Sequence, residues 1–421
     1  MRLSPPRFPT FPLRFTALST AVLLVVPTAL LLLVPRKLAS GLDRLMPDTA
    51  LLQSFAARPT QPVPALWQQR LGPDLAERYW RAQRRFWWQF WGPHGDAGAY
   101  LVFAAPASSP VPANGIRLDD LIVVAPNPLA HQLLQDQLQV QRRLPRGLNQ
   151  RCSEQLLQQE AVHWNPAALA QMLGPIAPLA MGLQQGCLSL RSEGSALLWQ
   201  GEADASSDSL QAAPSGLMVP SLPAATATTP LLELRGRRLE LLLRGLLSTA
   251  LLRTALAERY GLGAEQLRRL QDAGFALRLL EQPQGPYRAG LQLLVRLPGE
   301  RQFWDRWLID LARALEDQGL SRSEPTPALQ LWSRENGEPA GGWRWLSADQ
   351  LLLFLGPSPT QAPQLQPPSG ADWQLLMQPQ KLDNEQLLPP GLPVVVKRAT
   401  QLVLHGRGAV GTALAGRLDL R

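Results

Sequence analysis

At 421 residues the chain has room for two to three domains of about 150 residues each. Hydrophobic residues make up 45% and charged residues 18%, which excludes a wholly disordered protein; a mean hydropathy of −0.09 with one long uncharged apolar run excludes a polytopic transporter. The net charge of +8 rests on arginines mixed with acids, with lysines only at Lys37, Lys381 and Lys397 and no block of five like charges, so it reads as a solvated basic surface and not as a nucleic-acid site.

The first element is the uncharged stretch Phe15–Pro35. As a helix it is long enough for a hydrocarbon core of about 30 Å, and Pro27 would kink it without forbidding it. A cleavable signal peptide is the rival, but Arg36 and Lys37 follow the apolar run at once. The reading is a single N-terminal transmembrane helix as an uncleaved anchor. Arg2, Arg7 and Arg14 are costly to export, which favours a cytoplasmic tail and a body in the periplasm or lumen of a cytoplasmic or thylakoid membrane. Cys152 and Cys187 have no metal-type spacing; they suit either one disulfide in an oxidising compartment or two buried thiols.

From Met46 onward the pattern mixes helices and strands. A long helical stretch is expected from Pro64 to Trp91, and another from Pro128, with Asn127 as N-cap and Leu129, Leu133, Leu134 and Leu138 as its buried stripe. Leu239, Leu242, Leu243, Leu246, Leu247, Ala250 and Leu251 follow helical spacing. So do Trp304, Trp307, Leu308, Leu311 and Leu315, with Gly319 as a stop. Tyr100–Ala104 and Leu121–Val124 read as strands. Phe275–Leu280 and Leu291–Leu297 flank Pro283-Gln284-Gly285-Pro286 as a hairpin, and Leu329–Trp332, Trp343–Leu346 and Leu351–Leu355 as a meander.

Ala203–Pro230, rich in Ala, Ser, Thr and Pro, and Gly356–Gly370, rich in Pro and Gln, read as linkers or long loops. The expected division is a tail and anchor over 1–45, a first α+β half over 46–203, a linker over 204–230 and a second α+β half over 231–421. The halves end alike: Leu188-Ser189-Leu190, Gly194 and Ala196–Gly201 in one, Leu402-Val403-Leu404, Gly406 and Thr412–Gly416 in the other. Duplication of one unit and coincidence between two hairpins both explain this. The fold class expected is α+β, a two-part antiparallel-sheet-and-helix body behind the anchor.

Met46-Pro47-Asp48-Thr49-Ala50-Leu51, Leu198-Trp199-Gln200-Gly201-Glu202-Ala203 and Leu414-Ala415-Gly416-Arg417-Leu418 resemble short pieces of a family of membrane-anchored bacterial and cyanobacterial proteins defined by a domain of unknown function. The resemblance implies an exported, repeat-built α+β body and supplies no functional residues.

No catalytic signature accompanies it. Gly406-Arg407-Gly408-Ala409-Val410-Gly411 has the dinucleotide spacing, but ten residues remain after it, too few for the helix and second strand a cofactor needs. Gly261-Leu262-Gly263 reads as a helix stop. His94, His131, His163 and His405 lack zinc spacing, and there is no G-x-S-x-G elbow. Asp119-Asp120 and the pair Glu202 and Asp204 read as solvated. Catalytic, cofactor and metal residues are therefore assigned to none.

The most unusual stretch is Arg78–Trp91. On a helical wheel its aromatics share one face and its arginines another, with Trp88 among the arginines. Packing on the body's sheet, lying in a membrane interface and stacking on bases all fit that pattern. The interface reading makes Trp80, Arg81, Arg84, Arg85, Trp87, Trp88 and Trp91 the candidate membrane or partner contacts. The expected function is a membrane-anchored extracytoplasmic binding or scaffold protein, non-catalytic. Its partners are the lipid bilayer, through Phe15–Pro35, and a membrane-protein or envelope partner, with no nucleic acid and no cofactor. The alternative is an envelope hydrolase with a site assembled from distant residues.

Overall fold

The computed structural model describes residues 39–420, apart from 93–97, 141–143, 175–182, 205–216, 222–228, 241, 244–246, 248–249, 283–286, 369 and 409–411. Its strands are β1 Leu51–Ala56, β2 Phe86–Trp91, β3 Tyr100–Ala104, β4 Gly115–Leu118, β5 Leu121–Val124, β6 Ala161–Trp164, β7 Gln185–Glu193, β8 Ala196–Asp204 and β9 Leu232–Gly236. They continue as β10 Phe275–Glu281, β11 Ala289–Arg296, β12 Ser321–Thr326, β13 Leu329–Ser333, β14 Pro339–Trp345, β15 Gln350–Leu355, β16 Trp373–Met377, β17 Gln401–Arg407 and β18 Thr412–Asp419.

All 18 belong to one sheet, and all the pairings are antiparallel. Followed through its pairings, the sheet runs β4-β5-β3-β2-β1-β6-β7-β8 and then β18-β17-β16-β9-β10-β11-β15-β14-β13-β12. The two runs meet at β8 and β18, which pair from Ala196↔Asp419 to Ala203↔Thr412.

This corrects the expected fold class. The body is not an α+β body in two parts; it is one large antiparallel sheet with helices on it, because the last strand of each run pairs with the other. The likeness between the two terminal hairpins is a likeness of strands that lie side by side. Phe15–Pro35 lies outside the described residues, and among the described residues no helix is long and apolar enough to cross a membrane. The transmembrane helix is therefore no part of the fold described. Of the expected linker, Ala203 and Asp204 are buried in β8. Leu217 is buried against Ala371, Ala413 and Ala415 and accepts a bond from Gln200 Nε2 at 2.9 Å, so this part of the segment packs on the seam.

Helices cover both faces of the first run. Gly147–Gln158 and Pro128–Gln139 seal one face over Leu52, Trp88, Phe90, Tyr100 and Val102. Ala65–Leu71 and Pro73–Ala82 seal the other over Trp87, Leu101, Phe103, Ile122 and Val124. Because both faces are covered, neighbouring residues of a strand are buried together, and β3 and β5 read as continuous apolar runs instead of alternating ones. In the second run the helix Arg301–Asp317 covers one face with Trp304, Trp307 and Leu308. The opposite face, with Leu294, Leu352 and Phe354, is covered by Ala362 and Leu365 from the connection between β15 and β16.

Local chemistry explains several boundaries. Asn127 Oδ1 accepts from Ala130 N at 2.8 Å and starts the helix at Pro128. Its buried stripe is Ala130 and Leu134, with Leu138 partly buried, whereas Leu129 and Leu133 are exposed. The small Ala130 is what approaches the sheet. The expected helix from Pro64 to Trp91 breaks twice. Gly72, at φ +74°, ends the first helix and precedes Pro73 of the second. Gln83 then adopts extended backbone, and its side-chain amide donates to Tyr79 O and Ala104 O, closing the second helix before β2.

Candidate functional site

The stretch Arg78–Trp91 is thus a helix end followed by a strand, not one helix. Trp80 is buried and donates from Nε1 to Gln61 O at 2.9 Å. Trp87 and Trp88 are each 5% exposed but point to opposite faces of β2. Trp87 stacks on Phe55, ring centroids 4.4 Å apart. Trp88 lies under the helix Gly147–Gln158 and donates from Nε1 to Leu156 O at 3.0 Å. Trp91 is half-buried opposite Leu51. Arg81, Arg84 and Arg85 are exposed, and Arg81 is held by Glu77 and Pro59 O. The structure therefore puts Trp80 and Trp87 in one core and Trp88 in another, and leaves Trp91 half-buried and the arginines outside, so the seven candidate contacts do not form one face.

Three of them, Arg84, Arg85 and Trp88, do line a cleft of about 710 Å³ together with Asp43, Asp119 and Asp120. Two of those carboxylates are engaged in holding its wall. Asp119, at φ +54°, accepts from Gly41 N at 2.6 Å, and Asp43 accepts from the Ser153 hydroxyl. They bind the segment Ser40–Asp43 to the β4–β5 turn and to the neighbouring helix.

Burial lowers the pKa of two described histidines. His405 shares a hydrogen bond of 3.0 Å between its Nε2 and Gln374 Nε2, and burial lowers its pKa. His163 is fully enclosed between β1 and β7, opposite Leu52 and Cys187, with no partner at Nδ1; burial pushes its pKa down to about 4. A neutral buried histidine makes the fold acid-sensitive. The unfolded chain takes up this proton near pH 6.5 and the folded chain only near pH 4. Stability is therefore full above about pH 7.5 and falls as the pH drops through 6.5 toward 4, by on the order of 3 kcal/mol. Urea midpoints at pH 7.5, 6 and 4.5 should show this loss, and His163→Gln should flatten it; a His163→Gln profile parallel to the parent's would refute it. Among the described residues no group of His, Cys, Asp and Glu could hold a metal ion.

A second cleft, of about 400 Å³, lies between the helix Arg301–Asp317 and the sheet. Its walls are Leu311 and Leu315 from the helix, Leu291 and Leu293 from β11, and Leu353 and Leu355 from β15. Trp332, Trp343 and Tyr287 add rings to the lining, and among the described lining residues Tyr287 has the only ionisable side chain. Gly341 and Gly342 also line it. A Cβ on Gly342 would stand 2.2 Å from Gln330 O, and one on Gly341 would stand 2.3 Å from Phe354 O. The glycine pair inside β14 marks the close approach of the two neighbouring strand backbones, and by itself does not announce the cleft. Leu311, Leu315 and Trp343 were legible only as core positions. The dinucleotide-like glycines have a structural use: Gly406 lies beneath the Trp373 ring in the β16–β17 pair, and Gly408 N donates to Asp372 at 2.9 Å. Residues 409–411 lie outside the described residues.

No family model matches the chain, and no curated protein matches it. One solved structure, titled "Structure of crystal form IV of TP0453", is similar over 46% of this chain and 94% of its own, with 9% identity and a TM-score of 0.23.

Proposed function

We propose that the protein is a membrane-attached, extracytoplasmic binding protein that acts without catalysis. The observation that carries this reading is the 400 Å³ cleft walled by leucines and aromatic rings. A concave, mostly apolar site with few polar groups is what ligand binding requires. An acid–base or nucleophilic mechanism needs a set of ionisable groups, and among the described lining residues Tyr287 alone is ionisable. Two further features support the cellular setting. Cys152 and Cys187 are joined in a disulfide, with Cα atoms 5.6 Å apart, which fits an oxidising compartment. The uncharged stretch Phe15–Pro35 fits attachment to a bilayer.

The test uses Nile red, an uncharged apolar dye. The full chain is purified in a fluorinated surfactant that mixes poorly with hydrocarbon. Saturable dye binding with a blue-shifted emission is expected at one site per chain, and Leu353→Arg, at a half-buried wall position, should abolish it. Absence of saturable binding, or binding that Leu353→Arg leaves intact, would overturn the assignment.

A further inference from the structure

We infer that the cleft between the helix Arg301–Asp317 and β11, β13, β14 and β15 is a site for a single unbranched acyl chain ending in a carboxylate. The inference rests on the binding role proposed above and names its ligand class. It starts from the walls. Leu293, Leu311, Leu315 and Leu353 are half-buried and Leu355 is exposed, so a band of aliphatic surface faces the cleft uncovered. Leaving such surface to water is unfavourable at about 25 cal/mol per Å². Flexible leucines on opposite walls suit a flexible hydrocarbon better than a flat ring. At roughly 30 Å³ for a water-sized group, the 400 Å³ volume takes about a dozen methylene-sized groups, so the open cleft would hold most of a longer chain and leave the rest outside.

The head group is indicated by two polar groups, one in the lining and one beside it. Trp332 lines the cleft, is 2% exposed, and its indole N–H has no acceptor. Five of the protein's other buried indoles set the comparison; those of Trp87, Trp343, Trp345 and Trp373 are not among them. Trp80, Trp88, Trp164, Trp304 and Trp307 each donate to a backbone carbonyl. Trp67 also lacks an acceptor, but it is sealed among the rings of Trp80, Trp87 and Phe103, away from either cleft. Trp332 is different because its ring borders an open volume. A buried donor without an acceptor is costly, and a ligand oxygen would satisfy it. Two residues further along the chain, the Arg334 guanidinium lies 5.6 Å from the centroid of Tyr287, which also lines the cleft. Arg334 is exposed and has no carboxylate partner among the described residues. An indole donor and a free cation beside an aliphatic cleft complement a carboxylate with a hydrocarbon tail.

The probes are cis-parinaric acid, an unbranched polyene fatty acid that fluoresces in apolar surroundings, and its methyl ester. Both are titrated into the full chain in the fluorinated surfactant. The acid should bind saturably, with energy transfer from tryptophan, and more tightly than the ester. Trp332→Phe keeps an aromatic ring and removes the donor, and should weaken both probes about threefold to tenfold. Arg334→Gln, at an exposed turn, should weaken the acid about threefold to fivefold and leave the ester unchanged. Leu315→Arg should abolish both. Nile red binding without parinarate binding, or parinarate binding indifferent to all three substitutions, would overturn the acyl assignment while the binding role stands. Equal affinity for acid and ester would overturn the carboxylate. If neither Nile red nor parinarate binds, the binding role itself fails.

Discussion

Trp88→Ala is expected to destabilise the protein by about 3–5 kcal/mol, the range for truncating a buried aromatic side chain. The side chain is 5% exposed, packed in the core formed by Phe90, Tyr100, Leu148 and Leu156. Its neighbours in the sheet are Ser54 on β1 and Val102 on β3, so the void would open in the middle of three strands. The substitution also strips the Leu156 carbonyl of the indole donor at 3.0 Å. Trp88→Phe separates the two contributions: it keeps a ring and loses the donor, and should cost about 1–3 kcal/mol. Urea unfolding followed by near-ultraviolet circular dichroism reads both. An alanine variant within about 0.5 kcal/mol of the parent, the range of ordinary surface changes, would mean that Trp88 is not a core residue.

Removing the Cys152–Cys187 bridge should have an effect of comparable size. The cross-link joins the helix Gly147–Gln158 to β7 and closes a separation of 35 residues. In the chain-entropy account a loop of that length is worth about 4 kcal/mol. Both cysteines are fully buried in the same core as Trp88, so alanines in their place also leave small voids. The urea midpoint should fall in the parent treated with a phosphine reductant after transient unfolding, and somewhat further in the double alanine variant, which also carries the voids. Maleimide labelling gives an independent reading: the denatured chain should take up no label until it is reduced. Uptake of two labels without reduction would show that the bridge is absent, and would remove one support for an extracytoplasmic location.

Much of the local structure was legible in the sequence. The hairpin of β10 and β11 and the meander of β13, β14 and β15 follow from short apolar runs between turn residues. The helix Arg301–Asp317 follows from its spacing, and Gly319, at φ +84°, ends it as expected. Two things were not legible, for different reasons. Antiparallel pairing between strands far apart in sequence leaves no local mark, so nothing in Ala196–Asp204 announces that Thr412–Asp419 lies beside it. The segment Phe86–Trp91 misled because a strand covered on both faces loses its alternation. Trp87 and Trp88 are both buried, one under each helix layer, and a run of aromatics without period 2 fits a helical wheel as well as a strand. Of the candidate site, the leucine walls were visible as apolar positions. The cleft between them was not, because it exists only where the helix crosses the sheet.

The seam between β8 and β18 has a consequence for how the protein is made. β18 bonds to β17 on one side and to β8 on the other. Among the described strands it is also the last to leave the ribosome. Until it emerges, β8 and β17 each present an unpaired row of backbone donors and acceptors, a template for pairing with other chains. The β8 edge therefore stays open while the second half of the chain is made, a period in which a chaperone, or export before folding, would guard it. A stop codon or frameshift between Arg407 and Thr412 would leave two open sheets in place of one, turning a small loss of sequence into an aggregating product.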